Sequence, residues 1–563
     1  MSKCQTSKRY SVSTVLVLFA LVLGACVQTP SGGAAPAASS GPVVNSVGVK
    51  LPDDAAPLEQ QVFRTTTIEG KHFDTTRNLY ETNGMQGVVW EPLVWLDADF
   101  TAYPGGADSW ETSKDGLTWS FHLRKTAKWS DGTPINADDW VYSIQRMLSK
   151  EIANPYGWFY FSIKNAEKFQ KGEVDASQLG VGKADEYTVQ ITTETPIPYF
   201  LQVIGFIPTI VPKTMIDKYG DAWADKPETT LSNGPFIIKE WNKGKDIVYV
   251  PNPQYDGPFK PKVDKVVATI LPQGDTPTLP LFQANEVDTL LGLRAAQLKQ
   301  ALNDPSLKDK IETYPSFTTF YMFFDVQKPP FNDLKVRQAF SHAIDRESIS
   351  KQVMQGLEVP AYTMLPGGFP CSQADNADIR KIQAYDPAAA KKLMADAGFP
   401  DGKDFPAFEL WTRQGQVATE AEAIQRMLKD NLGVDVTPKD QERSFYMSKL
   451  TAHEIPVGII QWAQDYSDPT NFLDWWASGS RHNWKNDKFI ELINQARGEL
   501  DVKKRCQMYN DAEKILIEEV GAVFIGHPVE GVLWSDHLGG IRASKDGIRR
   551  NSSLVWMDVY VKK

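Results

Sequence analysis

The sequence lacks the motifs of the common enzymes and metal sites. It contains no G-x-S-x-G nucleophile elbow and no Walker phosphate-binding loop. His453-Glu454 begins like a zinc-protease helix, but Val457 stands where the second histidine is needed. Seven histidines are scattered along the chain, and none is paired at the spacing of metal ligands. We therefore expect no metal, no cofactor and no enzymatic activity.

An excess of positive charge and internal repeats are also missing. Lys and Arg number 60 against 70 Asp and Glu, and the formal net charge is −10. Nucleic acids are bound chiefly by neutralising phosphates, so this balance argues against a nucleic-acid partner. The hydrophobic fraction of 42% and the charged fraction of 23% are those of a soluble globular protein. At 563 residues the chain exceeds what one hydrophobic core usually organises, so we expect two or more lobes.

The apolar run near the N-terminus is too short to span a membrane. Val12 to Ala25 falls short of the roughly 20 residues that a membrane-spanning helix needs. Basic residues precede the run and Leu23-Gly24-Ala25-Cys26 ends it, which is the pattern of a secretory signal peptide. The tetrad resembles the bacterial lipobox, whose cysteine is diacylated and becomes the mature N-terminus. We expect residues 1–25 to be a lipoprotein signal peptide and Cys26 to carry the lipid. The alternative is an ordinary signal peptide whose cysteine is incidental.

The stretch after Cys26 has little that a folded core could use. Residues 27–46 are small, uncharged and interrupted by Pro30, Pro36 and Pro42. Such a stretch buries too little apolar area to offset its ordering entropy. We therefore expect residues 26–46 to be the lipidated cysteine and a flexible linker, which holds the body in water beside the membrane.

Cysteine is scarce, with four residues in the whole chain. Cys4 leaves with the signal peptide, and Cys26 is the expected lipidation site. Cys371 and Cys506 remain, and two cysteines in an oxidising compartment can form a disulfide. The sequence does not give the distance between them, so their pairing stays open.

Strand and helix patterns alternate in the second half, which indicates an α/β lobe. Residues 117–123 alternate strictly and predict a strand with one exposed face. A helix is predicted to open at Asn136, with Asp138 and Asp139 in its first turn. Further helices are predicted at 386–398, 418–431 and 487–519.

Four blocks of the sequence, in order, resemble family 5 of the bacterial extracellular solute-binding proteins, the oligopeptide- and dipeptide-binding proteins of ABC importers. The blocks are residues 107–148, 231–258, 327–349 and 461–476, the last reading QWAQDYSDPTNFLDWW. The resemblance implies an α/β, two-lobed periplasmic-binding-protein-like fold of type II, cluster C, with an extra subdomain nested in the N-terminal lobe. It implies an N-terminal lobe of residues 47–316 plus 529–563, a nested subdomain at about 91–200, and a second lobe of residues 317–528.

The fourth block carries the binding site that the resemblance implies. In oligopeptide-binding members, the Asp of a W-x-x-D-Y segment pairs with the ligand's α-amino group, and Trp462-Ala463-Gln464-Asp465-Tyr466 matches that segment. A strand edge can pair with the ligand's backbone, and a fixed carboxylate can neutralise its ammonium. The strand Ile459 to Ala463 is expected to supply backbone partners. The alternative for Asp465 is a capping role in the turn at 467–469.

The resemblance implies further ligand contacts from the N-terminal lobe. The segment 78–83, including Asn78 and Tyr80, stands where the family places them. This chain differs from a well-known peptide-binding relative at two positions. The relative carries Arg where this chain has Ile459, and it carries Trp in the region where this chain has Arg443. The preferred peptide length therefore stays open.

Three functions are weighed on this basis. The first is a lipid-anchored, extracytoplasmic monomer that encloses a peptide between its lobes and presents it to ABC permease subunits. The second is the same fold binding a non-peptide solute such as an oligosaccharide, which the 16 Trp and 19 Tyr would suit. Asp465 favours the peptide, because a neutral sugar offers no cation to pair with it. The third, a secreted lipoprotein hydrolase, lacks the motifs of a catalytic site.

Overall fold

The computed structural model describes residues 43–84, 86–97, 100–272, 277–293, 295–413, 417–479, 481–541 and 554–563. These residues all belong to one compact unit, Val43–Lys563. The predicted signal peptide, Cys26 and residues 27–42 of the predicted linker lie outside them. Asn45, near the end of the predicted linker, is buried and donates from its amide to the Pro261 carbonyl at 2.7 Å.

The strands and helices have the following bounds in chain order. The strands are Val62–Ile68 (β1), Val94–Leu96 (β2), Ala102–Pro104 (β3), Ala107–Thr112 (β4), Thr118–Leu123 (β5), Val181–Asp185 (β6), Thr188–Thr192 (β7), Phe236–Asn242 (β8), Asp246–Pro251 (β9), Lys265–Leu271 (β10), Thr289–Leu293 (β11), Ile311–Pro315 (β12), Thr318–Phe324 (β13), Glu358–Pro360 (β14), Phe408–Arg413 (β15), Val436–Gln441 (β16), Val457–Ala463 (β17), Ala522–Trp534 (β18), Leu538–Gly539 (β19) and Tyr560–Val561 (β20). The α-helices are Gln86–Val89 (α1), Ala137–Met147 (α2), Ala166–Lys171 (α3), Phe200–Phe206 (α4), Lys213–Tyr219 (α5), Leu279–Gln283 (α6), Ala295–Asn303 (α7), Leu334–Ala343 (α8), Arg346–Ser348 (α9), Ala377–Ile382 (α10), Pro387–Asp396 (α11), Ala418–Leu432 (α12), Arg443–Thr451 (α13), Thr470–Ser478 (α14), Asp487–Gly498 (α15), Val502–Glu518 (α16) and Val555–Asp558 (α17).

Two four-stranded sheets lie in the first half of the chain. One has the order β1-β10-β9-β8, with β1 parallel to β10 and the other pairs antiparallel. The other has the order β4-β5-β7-β6 and is formed wholly from residues 107–192. Strand β5 buries alternate side chains, as the strict alternation predicted, because only one face of this sheet packs on the core.

A larger sheet with the order β11-β18-β13-β17-β15-β16 organises the second half. Strand β13 lies between β17 and β18, and all seven of its residues are buried because both of its faces are covered. Strand β18 is long: its first part pairs with β13, and its second part pairs with β11 and β12. Pro528, between the two parts, accepts a hydrogen bond from Ser316 N at 2.8 Å.

Capping side chains set several helix boundaries where the sequence predicted them. The Asn136 side chain accepts from Asp138 N, and the Asp139 carboxylate accepts from Asn136 N, so the predicted start of α2 is confirmed. The prediction of one helix over 487–519 is wrong, because α15 ends at Gly498 and α16 begins at Val502. Asp501 caps α16 by accepting from Lys504 N at 3.0 Å, which favours a new helix start there.

Cys371 and Cys506 form a disulfide, with their Cα atoms 4.9 Å apart. It joins the segment before α10 to α16. Within the described residues, none of the helices is long and apolar enough to cross a membrane.

Candidate functional site

Asp465 lies between β17 and α14, at the end of a buried strand. The Asn471 side chain holds this connection: its oxygen accepts from Asp465 N at 3.0 Å and from Trp462 Nε1 at 3.1 Å. The Asn471 amide also donates to Asp465 Oδ2 at 3.4 Å. The turn itself is capped by Asp468, whose carboxylate accepts from Thr470 N at 3.0 Å. Asp468 thus caps this turn, and Asp465 remains a candidate for ligand contact.

The Asp465 carboxylate is half-buried without full charge compensation. Burial raises its pKa to about 6, while the Asn471 amide, the Arg481 guanidinium and the Tyr156 hydroxyl act in the opposite direction. A carboxylate in this state gains from an incoming cation, because the cation replaces the water that burial removes.

A chain of aromatic contacts leads from Trp462, three positions before Asp465, to Tyr156, which donates to the Asp465 carboxylate. The Trp462 and Trp475 rings lie 4.4 Å apart between centroids, and Trp475 packs edge-on against Trp158 at 5.6 Å. Trp158 in turn contacts Tyr156, whose hydroxyl donates to Asp465. The site is therefore built jointly by residues 156–158 and by the segment around β17 and α14.

Tyr466 joins the same two regions beside Asp465. Its buried ring stacks on Tyr199 at 5.0 Å with an interplanar angle of 3°, and it contacts Phe159 at 5.7 Å. Ser467 N donates to Gln202 Oε1 at 2.6 Å, a bond between residues 265 positions apart. Tyr466 thus contributes packing between the two regions.

Strand β17 offers part of one edge beside the site. Residues Val457 to Ala463 pair along their whole length with β13, and Ala463, opposite Thr318, is exposed. Within the described part of the chain, β15 pairs with β17 only at Trp411 opposite Gly458. The Tyr446 hydroxyl donates to the Ile459 carbonyl at 2.9 Å, and the edge continues from there towards Ala463.

The predicted segment 78–83 lies next to Tyr156. Asn154 donates from its amide to the carbonyls of Thr76 and Arg77, and its oxygen accepts from Tyr156 N at 2.8 Å. Asn78 follows directly and accepts from Glu81 N through its carbonyl. Tyr80 lies in a short 3-10 helix, Leu79–Glu81, and its side chain is outside the described residues.

The sequence reasoning missed several residues of this site. Asn471 and Trp475 belong to the fourth block, but their contacts with Trp462 follow only from the helical geometry of α14. Tyr156 and Trp158 belong to the aromatic run 156–161, whose density was the available signal. The two positions that differ from the well-known peptide-binding relative have other places in the fold than Asp465. Ile459 is fully buried in the core, and Arg443 begins α13.

Among the described residues, no group of three or more His, Cys, Asp or Glu side chains is placed to hold a metal ion. The chemistry of the site is that of a half-buried anion, a strand edge and aromatic walls. An α/β body in which side chains from the first and second halves of the chain converge at such a carboxylate has the architecture of a two-lobed solute-binding protein.

Residues 101–484 match the family model described as bacterial extracellular solute-binding proteins, family 5 middle, and the chain belongs to this family. The resemblance seen in the four sequence blocks is thereby confirmed. The fold is the family's two-lobed α/β fold.

Named relatives cover most of the chain. The periplasmic oligopeptide-binding protein OppA of Salmonella typhimurium is 32% identical over 461 residues, 80% of this chain and 84% of the relative. The probable deoxycholate-binding periplasmic protein YgiS of Escherichia coli is 31% identical over 503 residues, 87% of this chain and 92% of the relative. The solved structure of the Escherichia coli murein tripeptide-binding protein MppA matches with a TM-score of 0.73 at 28% identity, over 91% of this chain and all of that one.

Proposed function

We propose that this protein captures oligopeptides between its two lobes and delivers them to an ABC importer. The observation that carries the proposal is the half-buried Asp465 carboxylate at the end of β17, enclosed by residues from both halves of the chain. The relatives OppA and MppA, which are named for peptide binding, support this choice of ligand.

In this proposal the site recognises what all peptides share. Asp465 pairs with the α-ammonium group, and this charge-assisted hydrogen bond fixes the end of the ligand. The free part of the β17 edge, up to Ala463, pairs with the ligand's backbone as an added strand does. The segment with Asn78 and Tyr80 supplies contacts from the opposite side, and Trp462 forms an aromatic wall.

The lobes of this proposal are residues 47–316 with 529–563, carrying a nested subdomain at about 91–200, and residues 317–528. The pairing of β18 with β12 on one side of Pro528 and with β13 on the other supports a hinge at this point. Rotation about the hinge would let the lobes close on the ligand, as in periplasmic binding proteins. The stacking of Tyr199 on Tyr466 then forms part of the closed interface.

The ligand that co-purifies with the protein tests the proposal most directly. Protein purified without denaturation should release a mixture of short peptides on acid treatment, and mass spectrometry should identify them. A matched preparation of Asp465→Ala should carry much less peptide. Release of a single non-peptide compound from the wild-type protein would contradict the proposal.

A separate observation supports a non-peptide solute as the ligand. Several aromatic side chains lie near Asp465, among them the partly exposed Trp475, and such side chains also suit a sugar ring or another flat apolar ligand. The deoxycholate named for YgiS is likewise a non-peptide solute. An oligosaccharide or steroid found by mass spectrometry would favour this second function.

We propose further that the protein is a monomer without catalytic activity of its own. The members of its family are solute-binding proteins, and the site offers recognition groups in place of a nucleophile and a base. A hydrolase would release cleaved products in the same purification, so intact peptides that persist in the complex would support binding alone.

We also propose that Cys26 anchors the protein to the membrane on the extracytoplasmic side. The disulfide supports an oxidising compartment, and relatives such as OppA are named as periplasmic. Cys26→Ser should release the body into the soluble fraction, because residues 27–46 have no apolar face. Fractionation after salt and carbonate washes measures this, with the wild-type protein in the membrane pellet as the reference. A Cys26→Ser variant that stays in the pellet would refute the anchor.

A further inference from the structure

Arg481 lies next to the candidate site and is held by two tryptophans. It follows α14 after Gly479, whose positive φ of 65° ends the helix. Its guanidinium carbon lies 4.8 Å from the Trp462 ring centroid and 4.5 Å from that of Trp475. Contacts of this kind fix the position of a guanidinium through its flat faces and leave the N–H groups at its edge free to donate.

Among the described residues, no carboxylate forms an ion pair with Arg481. Other arginines in the described residues have protein partners: Arg124, Arg146, Arg497 and Arg505 each pair with an Asp or Glu carboxylate, and the buried Arg337 and Arg346 donate to backbone carbonyls. Within the described part of the chain, Arg481 pairs with no carboxylate and donates no hydrogen bond to the protein. The Arg481 side chain is partly exposed, so its N–H groups reach solvent and a ligand carboxylate can replace the water there.

Arg481 and Asp465 carry opposite charges and are both linked to Trp462. The guanidinium is near enough to lower the pKa of Asp465, yet the two groups form no ion pair. Both are linked to Trp462, Asp465 through the shared Asn471 and Arg481 through its contact with the ring. A ligand that carries an ammonium and a carboxylate close together would complement both charges at once.

We propose that Arg481 binds a carboxylate near the amino terminus of the ligand, so that the protein prefers peptides with an acidic residue at position one or two. This inference rests on the proposed peptide function and names the ligand class within it. The planar guanidinium edge suits a carboxylate, which can accept two parallel hydrogen bonds.

The test compares peptides that differ by one charge. Tetrapeptides of alanine with Asp or with Asn at position one, two or four are titrated into the wild-type protein, into Arg481→Gln and into Arg481→Lys. The ratio of the Asn to the Asp dissociation constant should be about ten or more at position one or two of the wild type. The ratio should fall close to one in Arg481→Gln and lie between these values in Arg481→Lys, which keeps the charge but not the planar edge.

Arg426→Gln, an exposed arginine of α12, is the matched control and should keep the wild-type ratio. Equal affinities for Asp and Asn peptides in the wild-type protein would overturn the inference even if Arg481→Gln failed to fold. A preference that survives in Arg481→Gln, or that occurs only at position four, would also overturn it. In each of these cases the peptides still bind, so the proposed function stands. Absence of binding by every peptide would instead contradict the proposed function.

Discussion

Replacing Asp465 with alanine should raise the dissociation constant for free peptides by about 30- to 5,000-fold. The α-ammonium would enter a partly buried site that no longer offers it a counter-charge. Truncating one partner of a buried, hydrogen-bonded charge pair costs about 2–5 kcal/mol, which gives this range of affinity. Isothermal titration calorimetry of the wild-type and variant proteins with one tetrapeptide measures the change.

The same peptide with an acetylated amino terminus separates the ion pair from other effects. Acetylation removes the ammonium, so it should weaken wild-type binding strongly and should hardly weaken binding to Asp465→Ala further, because both changes delete one interaction. Asp474→Asn is the matched control: Asp474 pairs with Arg497 at 3.0 Å, and burial likewise raises its pKa to about 6. The Asp474→Asn variant should bind free peptide as tightly as the wild type does. If Asp465→Ala bound free peptide as tightly as the wild type does, the ion pair would be refuted.

The pH dependence of affinity provides a second readout of the same pair. Burial raises the pKa of Asp465 to about 6 in the ligand-free protein, so below that pH the carboxyl must lose a proton before it can pair. The peptide ammonium keeps its proton up to about pH 8. Wild-type affinity should therefore fall as the pH drops through 6, by about tenfold between pH 7 and pH 5. Acetylated peptide should lack this dependence.

The raised pKa also has a consequence for stability. In the folded state the carboxyl holds its proton to a higher pH than in the unfolded state, so it favours folding at low pH. This contribution is lost as the pH rises through about 6. At neutral pH the ionised Asp465 is therefore a cost to the ligand-free protein, and a bound ammonium relieves it.

Local signals in the sequence were enough to predict several elements. Asp386 caps α11 and accepts from Ala389 N at 2.9 Å, with Pro387 in the first helical position, so the start of this helix could be predicted. The break at 499–501 was missed because the apolar periodicity continues on both sides of it. Asp501 offered a local N-cap signal for the new helix, but the packing of α15 against α16 depends on tertiary structure.

The site could be predicted only in part, for a similar reason. Asp465 lies in a contiguous segment that resembles a known family, so it was found from sequence. Tyr156 and Tyr199 lie hundreds of positions before Asp465 and Tyr466, and no local pattern relates them. Arg481 was missed because its contacts with Trp462 in β17 and Trp475 in α14 arise only in the folded chain.

Removing the disulfide should lower the free energy of unfolding by about 2–5 kcal/mol. Cys371 and Cys506 are 135 positions apart, so the bond closes a long loop that contains β15, β16, β17 and Asp465. A link of this kind restricts the unfolded chain far more than the folded one. The Cys371→Ala, Cys506→Ala double variant, compared with the wild type by guanidinium chloride denaturation, measures the loss.

The fold around the disulfide should persist without it, so the loss should appear in stability rather than in peptide affinity. Gln373, two residues from Cys371, donates to the Asn510 carbonyl at 3.0 Å and to the Glu513 carboxylate at 3.1 Å, and Leu365 N donates to Glu513 at 2.8 Å. These bonds hold the segment on α16 independently of the disulfide.

Reducing agent provides the control, because it should destabilise the wild-type protein by the same amount and leave the double variant unchanged. Equal stability of the oxidised wild type and the double variant would mean that the bond does not restrict the unfolded chain. A large loss of peptide affinity in the double variant would mean that the disulfide, and not these hydrogen bonds, positions the segment on α16.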